Sequence, residues 1–500
     1  MVPTAVLQAG QLPDSHPVPG AAFRCGVLTL DQSRDDGFQL IARHQLICVK
    51  KLLPSWGIRL ALALLLRKFV AKGSGRWQGR ERMIFLTYDF VWFALAFFLL
   101  YALTGRWPAL RLAIIIVSGI WFQFFYGGLA SIVVTLALAA ISYAAGRSAR
   151  KSMMVAAIAI CIATLLYSKY TVFLVQSAVE PFSTSTAAAL SSFAPAAIPL
   201  GISFFTFEFV HYLVDVHRGY PPIKRIRDFV AFAMFWPTMV AGPIKRYQQF
   251  IPALHTGLAS LSASDAMIGL IRIAMGLAKK WAADNLTGWI DFTEPHFAAQ
   301  TLGWRWVFLI ALAFRILLDF SGYSDMAIGF ARMMGIVVPE NFNWPYLART
   351  PMEFWQRWHM SLSLWIRDYI YIPLGGNRLG VTRRVLNALG AMAICGLWHG
   401  PSWNFVIWGL YHGAGLTVAT LFQRLSLPLR PSEAPMMVES GSIGAARLAR
   451  PARAMHVRIL WTVADFVSWV ATMIFVDIGW LLFFYPIEKA TTMAKYLFVQ

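Results

Sequence analysis

The chain has 500 residues, 58% of them hydrophobic and only 14% charged, with a mean hydropathy of +0.57. Soluble domains carry about a quarter charged residues, so this composition excludes an ordinary soluble enzyme and indicates a polytopic membrane protein. The net charge of +20 falls in short clusters between apolar segments, which argues against nucleic acid as a partner and fits loops facing an anionic leaflet of a lipid bilayer.

Residues 1–56 show no helical or strand periodicity and no signal-peptide layout. Residues 58–71 hold an apolar run too short and too basic to span, and Arg67, Lys68, Lys72, Arg76, Arg80 and Arg82 follow. We read 1–82 as an N-terminal extension, poorly structured and dispensable to the fold, with Met83 the better initiator. The membrane domain is expected over 83–484. Within it 84–103, 112–126, 129–145 and 152–177 are apolar enough to cross ~30 Å of hydrocarbon at about 1.5 Å per residue. Arg106 and Arg111 flank the first connection, Gly127-Gly128 makes the second, and Arg147, Arg150 and Lys151 fill the third. Positive-inside logic places 104–111, 146–151 and 217–228 in the cytoplasm.

Further along, Val385 to Gln423 runs thirty-nine residues without an Asp, Glu, Lys or Arg. Arg383-Arg384 precede a climb to His399, Gly400-Pro401-Ser402 breaks the helix, and 403–423 returns to Arg424. Both ends of this hairpin are basic, so its turn lies deep in or across the bilayer. Residues 424–458 read as a basic cytoplasmic loop, 459–484 as a last span and 485–500 as a short C-terminal tail. The expected class is all-α, with about ten transmembrane helices plus interfacial and re-entrant ones.

A titratable ring in a charge-free run of that length is costly unless it has a task, and His399 is that ring. His359 lies in a segment where Trp358, Leu362 and Trp365 share one helical face, so 354–365 is expected to be a single amphipathic helix. His211 and His412 also face apolar neighbours. Gly375-Gly376 with Arg378, Arg383 and Arg384 reads either as a cradle for a phosphate-bearing donor or as a tight turn followed by positive-inside charge. Zinc spacing, a P-loop and a G-x-S-x-G element are all missing, so no metal and no bound cofactor is expected. Cys25, Cys48, Cys161 and Cys395 form no C-x-x-C pair and read as buried small hydrophobes, with an acyl relay at Cys395 as the alternative. What remains is a pair of imidazoles with no protein nucleophile beside them. Neutral imidazole can deprotonate an acceptor hydroxyl, or alternatively relay protons in a transporter.

Six segments resemble the membrane-bound O-acyltransferase family, nearest to its bacterial alginate O-acetyltransferase and D-alanyl teichoic-acid transferase branch. They are 199–207, 239–244, 319–329, 339–346, the block from Arg357-Trp358-His359 to Arg378, and Leu397-Trp398-His399-Gly400-Pro401-Ser402-Trp403. The resemblance covers roughly 83–484. It implies that His399 is the essential histidine and His359 its active-site partner, in a funnel-and-tunnel of tilted helices. It implies further that acyl-CoA (acetyl-CoA) or an acyl carrier protein is the co-substrate. The acceptor would be an exported polysaccharide or an extracytoplasmic partner protein, and the setting the bacterial inner membrane. Trp398 and Asn404 are candidate oxyanion donors on this view. D-alanyl transfer to teichoic acid is the alternative within the family; a proton-coupled transporter or flippase, or a silent scaffold, lies outside it. The chain departs from the family where Tyr485 follows Trp480-Leu481-Leu482-Phe483-Phe484 in place of an arginine.

Overall fold

The computed structural model describes residues 84–426 and 455–499, all within one unit, Leu52–Gln500. The expectations for 1–82 and for most of 424–458 fall outside the described residues. Among these, every regular element is helical.

The first helix, α1 (Tyr88–Leu103), is capped by the Thr87 side chain on the Phe90 amide. The second, α2 (Pro108–Ser148), bends where the sequence places its double glycine, with Gly128 at φ 74° and ψ 176°. Gln123 holds that bend through Ser131 Oγ (2.7 Å) and the Leu200 carbonyl (3.0 Å). α3 (Lys151–Leu165) runs through a π-turn, Leu166–Tyr170, into α4 (Thr171–Ala178), and α5 (Thr184–Ser191) follows. Next come α6 (Ile202–His217), α7 (Ile226–Ala233) and α8 (Tyr247–Ala259). Gly201, at φ 72°, starts α6 against Met239, where a Cβ would lie 2.6 Å from the Met239 carbonyl oxygen. Only glycine fits that approach.

α9 (Ala263–Thr293) and α10 (Leu302–Met333) pack along their lengths. Charge lines their seam: Asp325 bonds Arg272 (2.7 Å) and Lys279 (2.6 Å), and Lys280 bonds Asp319 (2.7 Å). The short α11 (Pro351–Arg357) and α12 (Met360–Ile366) lead to a π-turn, Arg367–Tyr371. The expected hairpin is formed by α13 (Gly380–His399) and α14 (Trp403–Ser426). Its arms touch backbone to backbone: a Cβ on Gly396 would overlap the Phe405 carbonyl, and one on Gly409 the Met392 carbonyl. α15 (Met455–Phe484) is the last long helix, and α16 (Ile487–Tyr496) occupies the stretch expected to be a tail.

Five helices among the described residues are long and apolar enough to cross a membrane: Pro108–Ser148, Lys151–Ala178, Leu302–Met333, Trp403–Phe422 and Val463–Phe484. The pair Tyr247–Ala259 and Ala263–Ala299, bent by 120°, makes a sixth if it counts as one span. The expected ten are not reached on this measure, for physical reasons. α9 carries Arg272, Lys279 and Lys280, α13 begins with Arg383 and Arg384, and α6 has 16 residues including Glu208 and Asp215. α9 packs along α10 and α13 along α14, so these charged or short helices rest on partners and do not meet a test of length and apolarity.

Candidate active site

His359 and His399 are brought together, but by different means. His399 is the last residue of α13, and Gly400 leaves the helix in extended conformation at φ −172°. The break seen in the sequence therefore aims the imidazole off a helix end. The ring meets Trp398 (4.9 Å between centroids), Trp408 (5.2 Å) and Phe483 (5.2 Å). It lines a cavity of about 450 Å³ together with Lys169, Ser203, Arg315, Asp319 and Tyr323.

His359 sits where the expected single helix is interrupted. Trp358 is extended (φ −100°, ψ 129°) and His359 is left-handed (φ 41°, ψ 54°), so 354–365 forms two short helices instead of one. A non-glycine residue in that region costs about 1–3 kcal/mol and needs outside support. Asn341 supplies it. Its backbone carbonyl accepts from the Met360 amide (2.9 Å). Its side-chain oxygen accepts from Ser361 N (3.3 Å) and Ser361 Oγ (2.7 Å) and meets His359 Nδ1 at 3.1 Å.

That arrangement fixes the histidine tautomer. The Ser361 amide can only donate, so the Asn341 atom facing it is the oxygen, and Asn341 Nδ2 turns to Ser324 Oγ (3.2 Å). His359 Nδ1 must then carry the proton. Its Nε2 is left with a lone pair and no protein partner, fully buried beneath Phe320 (4.7 Å) and Trp398 (5.9 Å). His359 does not itself line the cavity; Trp398 touches both imidazoles.

The six motif segments converge here. Ser361 Oγ accepts from Ile244 N (3.0 Å), which ties in 239–244, and Ser324 ties in 319–329. Trp365 Nε1 donates to the Phe207 carbonyl (3.1 Å), and Phe207 stacks on Trp365 (3.8 Å) and Trp398 (5.5 Å). Segments far apart in the chain thus meet around two rings.

Other candidates fall elsewhere. The Trp398 indole N–H is buried without a partner, whereas the Asn404 side chain contacts Ser402 and the Leu482 carbonyl (3.4 Å) and is not on the cavity wall. His412 is fully buried among Phe354, Trp355, Trp408 and Phe475, with neither nitrogen bonded. A second cavity of about 410 Å³ lies along α13 and α14, lined in part by Trp355, Arg367, Asn377, Arg384 and Cys395. Arg384 reaches it; Arg378 and Arg383 do not, and the Arg378 amide instead closes a tight turn on Gly375 O (3.1 Å). Arg367 is committed to Asp368 (2.7 Å), as is Arg246 (2.5 Å). Burial opposes ionisation of Asp368, but the bonds from Arg367 and Arg246 outweigh it and hold its carboxyl below the usual carboxylate range. No cluster of His, Cys, Asp and Glu suited to a metal exists among the described residues.

Two residues escaped the sequence analysis. Asn341 carries no signal of its own beyond lying in a matched motif. Lys169 does: it is the lone charge between Lys151 and Glu180, and it lines the His399 cavity.

Residues 215–434 match the membrane-bound O-acyltransferase family, MBOAT. The chain is 36% identical over 290 residues to a probable alginate O-acetylase of Azotobacter vinelandii, covering 57% of this chain and 50% of that protein. It is 30% identical over 313 residues to a peptidoglycan O-acetyltransferase of Helicobacter pylori, covering 57% and 54%. A teichoic acid D-alanyltransferase of Streptococcus thermophilus is 30% identical over 238 residues, covering 44% and 56%. The chain spans about half the length of the curated relatives it matches. With its apolar helices it is a membrane protein, and the segment that matches the membrane-bound O-acyltransferase family, residues 215–434, holds both histidines.

Proposed function

We propose that this chain is a multi-pass inner-membrane O-acyltransferase with His399 as general base. It moves an acyl group, acetyl in the first instance, from a cytoplasmic thioester to a hydroxyl of an exported polysaccharide or of a periplasmic partner. The observation that carries the reading is an imidazole at a helix end, opening into a cavity walled by aromatic rings, where the six motif segments meet. In such a site the acceptor hydroxyl gives its proton to His399 as its oxygen attacks the thioester carbonyl carbon. The C–S bond breaks and the proton passes on to the departing thiolate. Holding both reactants in a dry cavity supplies much of the rate, and the positioned base about 10²–10⁴-fold more.

His359 plays the second part, its ring packed against Trp398 with an Nε2 that has no protein partner. The cavity at Arg384 suits the donor. Arg384 lies about four turns before His399, or ~22 Å along α13, so a phosphate held there needs a long arm to bring its thioester to the base. Acetyl-CoA and a carrier protein bearing pantetheine both have one. The teichoic acid relatives favour a second reading, D-alanyl transfer from a carrier protein.

The test uses purified protein in liposomes with labelled acetyl-CoA and a mannuronate polymer, beside D-alanyl carrier protein with teichoic acid. Label in the uronate polymer supports acetyl transfer; label only from the D-alanyl donor supports the second reading. No transfer from either, with a proton-coupled flux across the bilayer, establishes a transporter.

A further inference from the structure

The cavity holds a cation that the proposed chemistry has not yet used. Lys169 lies on the π-turn Leu166–Tyr170, which interrupts the otherwise regular span Lys151–Ala178. Such turns displace a side chain from its regular helical position and gather at functional sites. Here the turn aims two residues at the end of α13: Tyr170 Oη donates to the Leu397 carbonyl (2.8 Å) and Lys169 Nζ to the Trp398 carbonyl. The bland reading is a helix C-cap, since cations and donors favour helix C-termini.

Three observations exceed that reading. An ammonium has three N–H donors, and one bond to Trp398 O leaves two. Lys169 has no carboxylate partner among the described residues. It lines the same cavity as His399 and sits 6.0 Å from the Trp398 ring, on the residue directly preceding the base. Of the other charges there, Asp319 is paired with Lys280 (2.7 Å), and Arg315 bonds Thr287 Oγ1 through Nε (3.0 Å) and lies on the face of Phe484 (4.9 Å), away from the Trp398 carbonyl that Lys169 holds.

We propose that Lys169 is the oxyanion-stabilising catalytic residue, its ammonium meeting the carbonyl oxygen of the acyl donor as that oxygen becomes negative. This rests on the acyl-transfer reading above. When the acceptor oxygen bonds to the thioester carbon, the carbonyl π electrons move onto oxygen, beside a fixed cation in a cavity of low dielectric. They return as the C–S bond breaks. The positive charge is already in place and needs no reorganisation at the moment of reaction. The Trp398 bond holds Lys169 beside His399, so base and electrophile share one backbone anchor.

The test is steady-state transfer from labelled acetyl-CoA to mannuronate oligomers by full-length protein in liposomes, comparing K169R, K169Q and K169M at matched folded abundance. K169Q keeps a donor for the Trp398 carbonyl and loses the charge; K169R keeps both. Removing one oxyanion donor costs about 10²–10³-fold in kcat, so K169Q and K169M are expected to fall by that much with KM within about twofold, while K169R stays near wild type. A K169Q enzyme with wild-type kcat overturns the proposal and leaves Lys169 as a helix cap. A loss confined to KM overturns it too, making Lys169 a binding group. A wild-type protein that transfers nothing from acetyl-CoA to the oligomers, nor from D-alanyl carrier protein to teichoic acid, overturns the acyl-transfer reading itself and the proposal with it, which separates the two failures.

Discussion

The two histidines reach one place from opposite structural situations. His399 stands at the end of a long helix, in a charge-free hairpin, with its ring on a cavity wall. His359 stands at a left-handed break between two helices of seven residues, fully buried, and held by a residue eighteen positions away in sequence. On the proposed reading this difference divides labour between the two rings. A group that meets substrate must be presented, and a helix end does that cheaply. A group that orders the site must be immobile, which here takes a strained backbone and an asparagine whose side-chain oxygen meets three donors.

This contrast can be broken at either side. The largest loss is expected at the presented ring: His399→Gln should lower acyl transfer by about 10³–10⁴-fold, with His359→Gln nearer 10²-fold, in initial rates at equal folded abundance. Equal losses would erase the distinction between base and support. Next is the asparagine. Asn341→Leu removes the acceptor for His359 and Ser361 and should cost about 10–10²-fold in kcat, whereas Asn341→Asp, which keeps an oxygen, should recover most of it. Activity per folded molecule that is the same in both variants would make Asn341 merely structural.

On the hairpin side, Gly396→Ala should destabilise the protein by about 1–3 kcal/mol, seen as earlier thermal unfolding in detergent, because its Cβ overlaps the Phe405 carbonyl. An unchanged transition would mean that the arms separate freely. The smallest effect is expected from Ser361→Ala, which removes one donor to Asn341 and the acceptor for the Ile244 amide. A loss of about 1 kcal/mol corresponds to about fivefold in kcat, read in the same assay.

The same contrast explains what the sequence revealed. The hairpin was legible because its cause is local: a long run without charge, then Gly400-Pro401-Ser402. The double glycine Gly127-Gly128, read as the connection between two spans, is a bend at Gly128 inside Pro108–Ser148. The break at His359 was not legible, since Trp358, Leu362 and Trp365 keep helical spacing across it and its cause is Asn341, remote in sequence. Tertiary bonding there overrides local pattern. Asn404 shows the converse: proximity in sequence to His399 does not put its amide on the cavity wall, because Ser402 and Leu482 take it. Lys169 could have been found, as the single charge between Lys151 and Glu180 in an apolar span. Length and apolarity among the described residues give five or six spans rather than about ten, where α9 sets its charges against α10 and α13 places them at one end.

The central claim is that the imidazole at position 399 takes the acceptor's proton. Single-turnover transfer of labelled acetyl from acetyl-CoA to a mannuronate polymer, with H399Q and wild type equally abundant and folded in liposomes, tests it most directly. The account predicts that donor still binds H399Q at near wild-type affinity while the transfer step slows by at least about 10²-fold. A wild-type transfer rate in H399Q would contradict it.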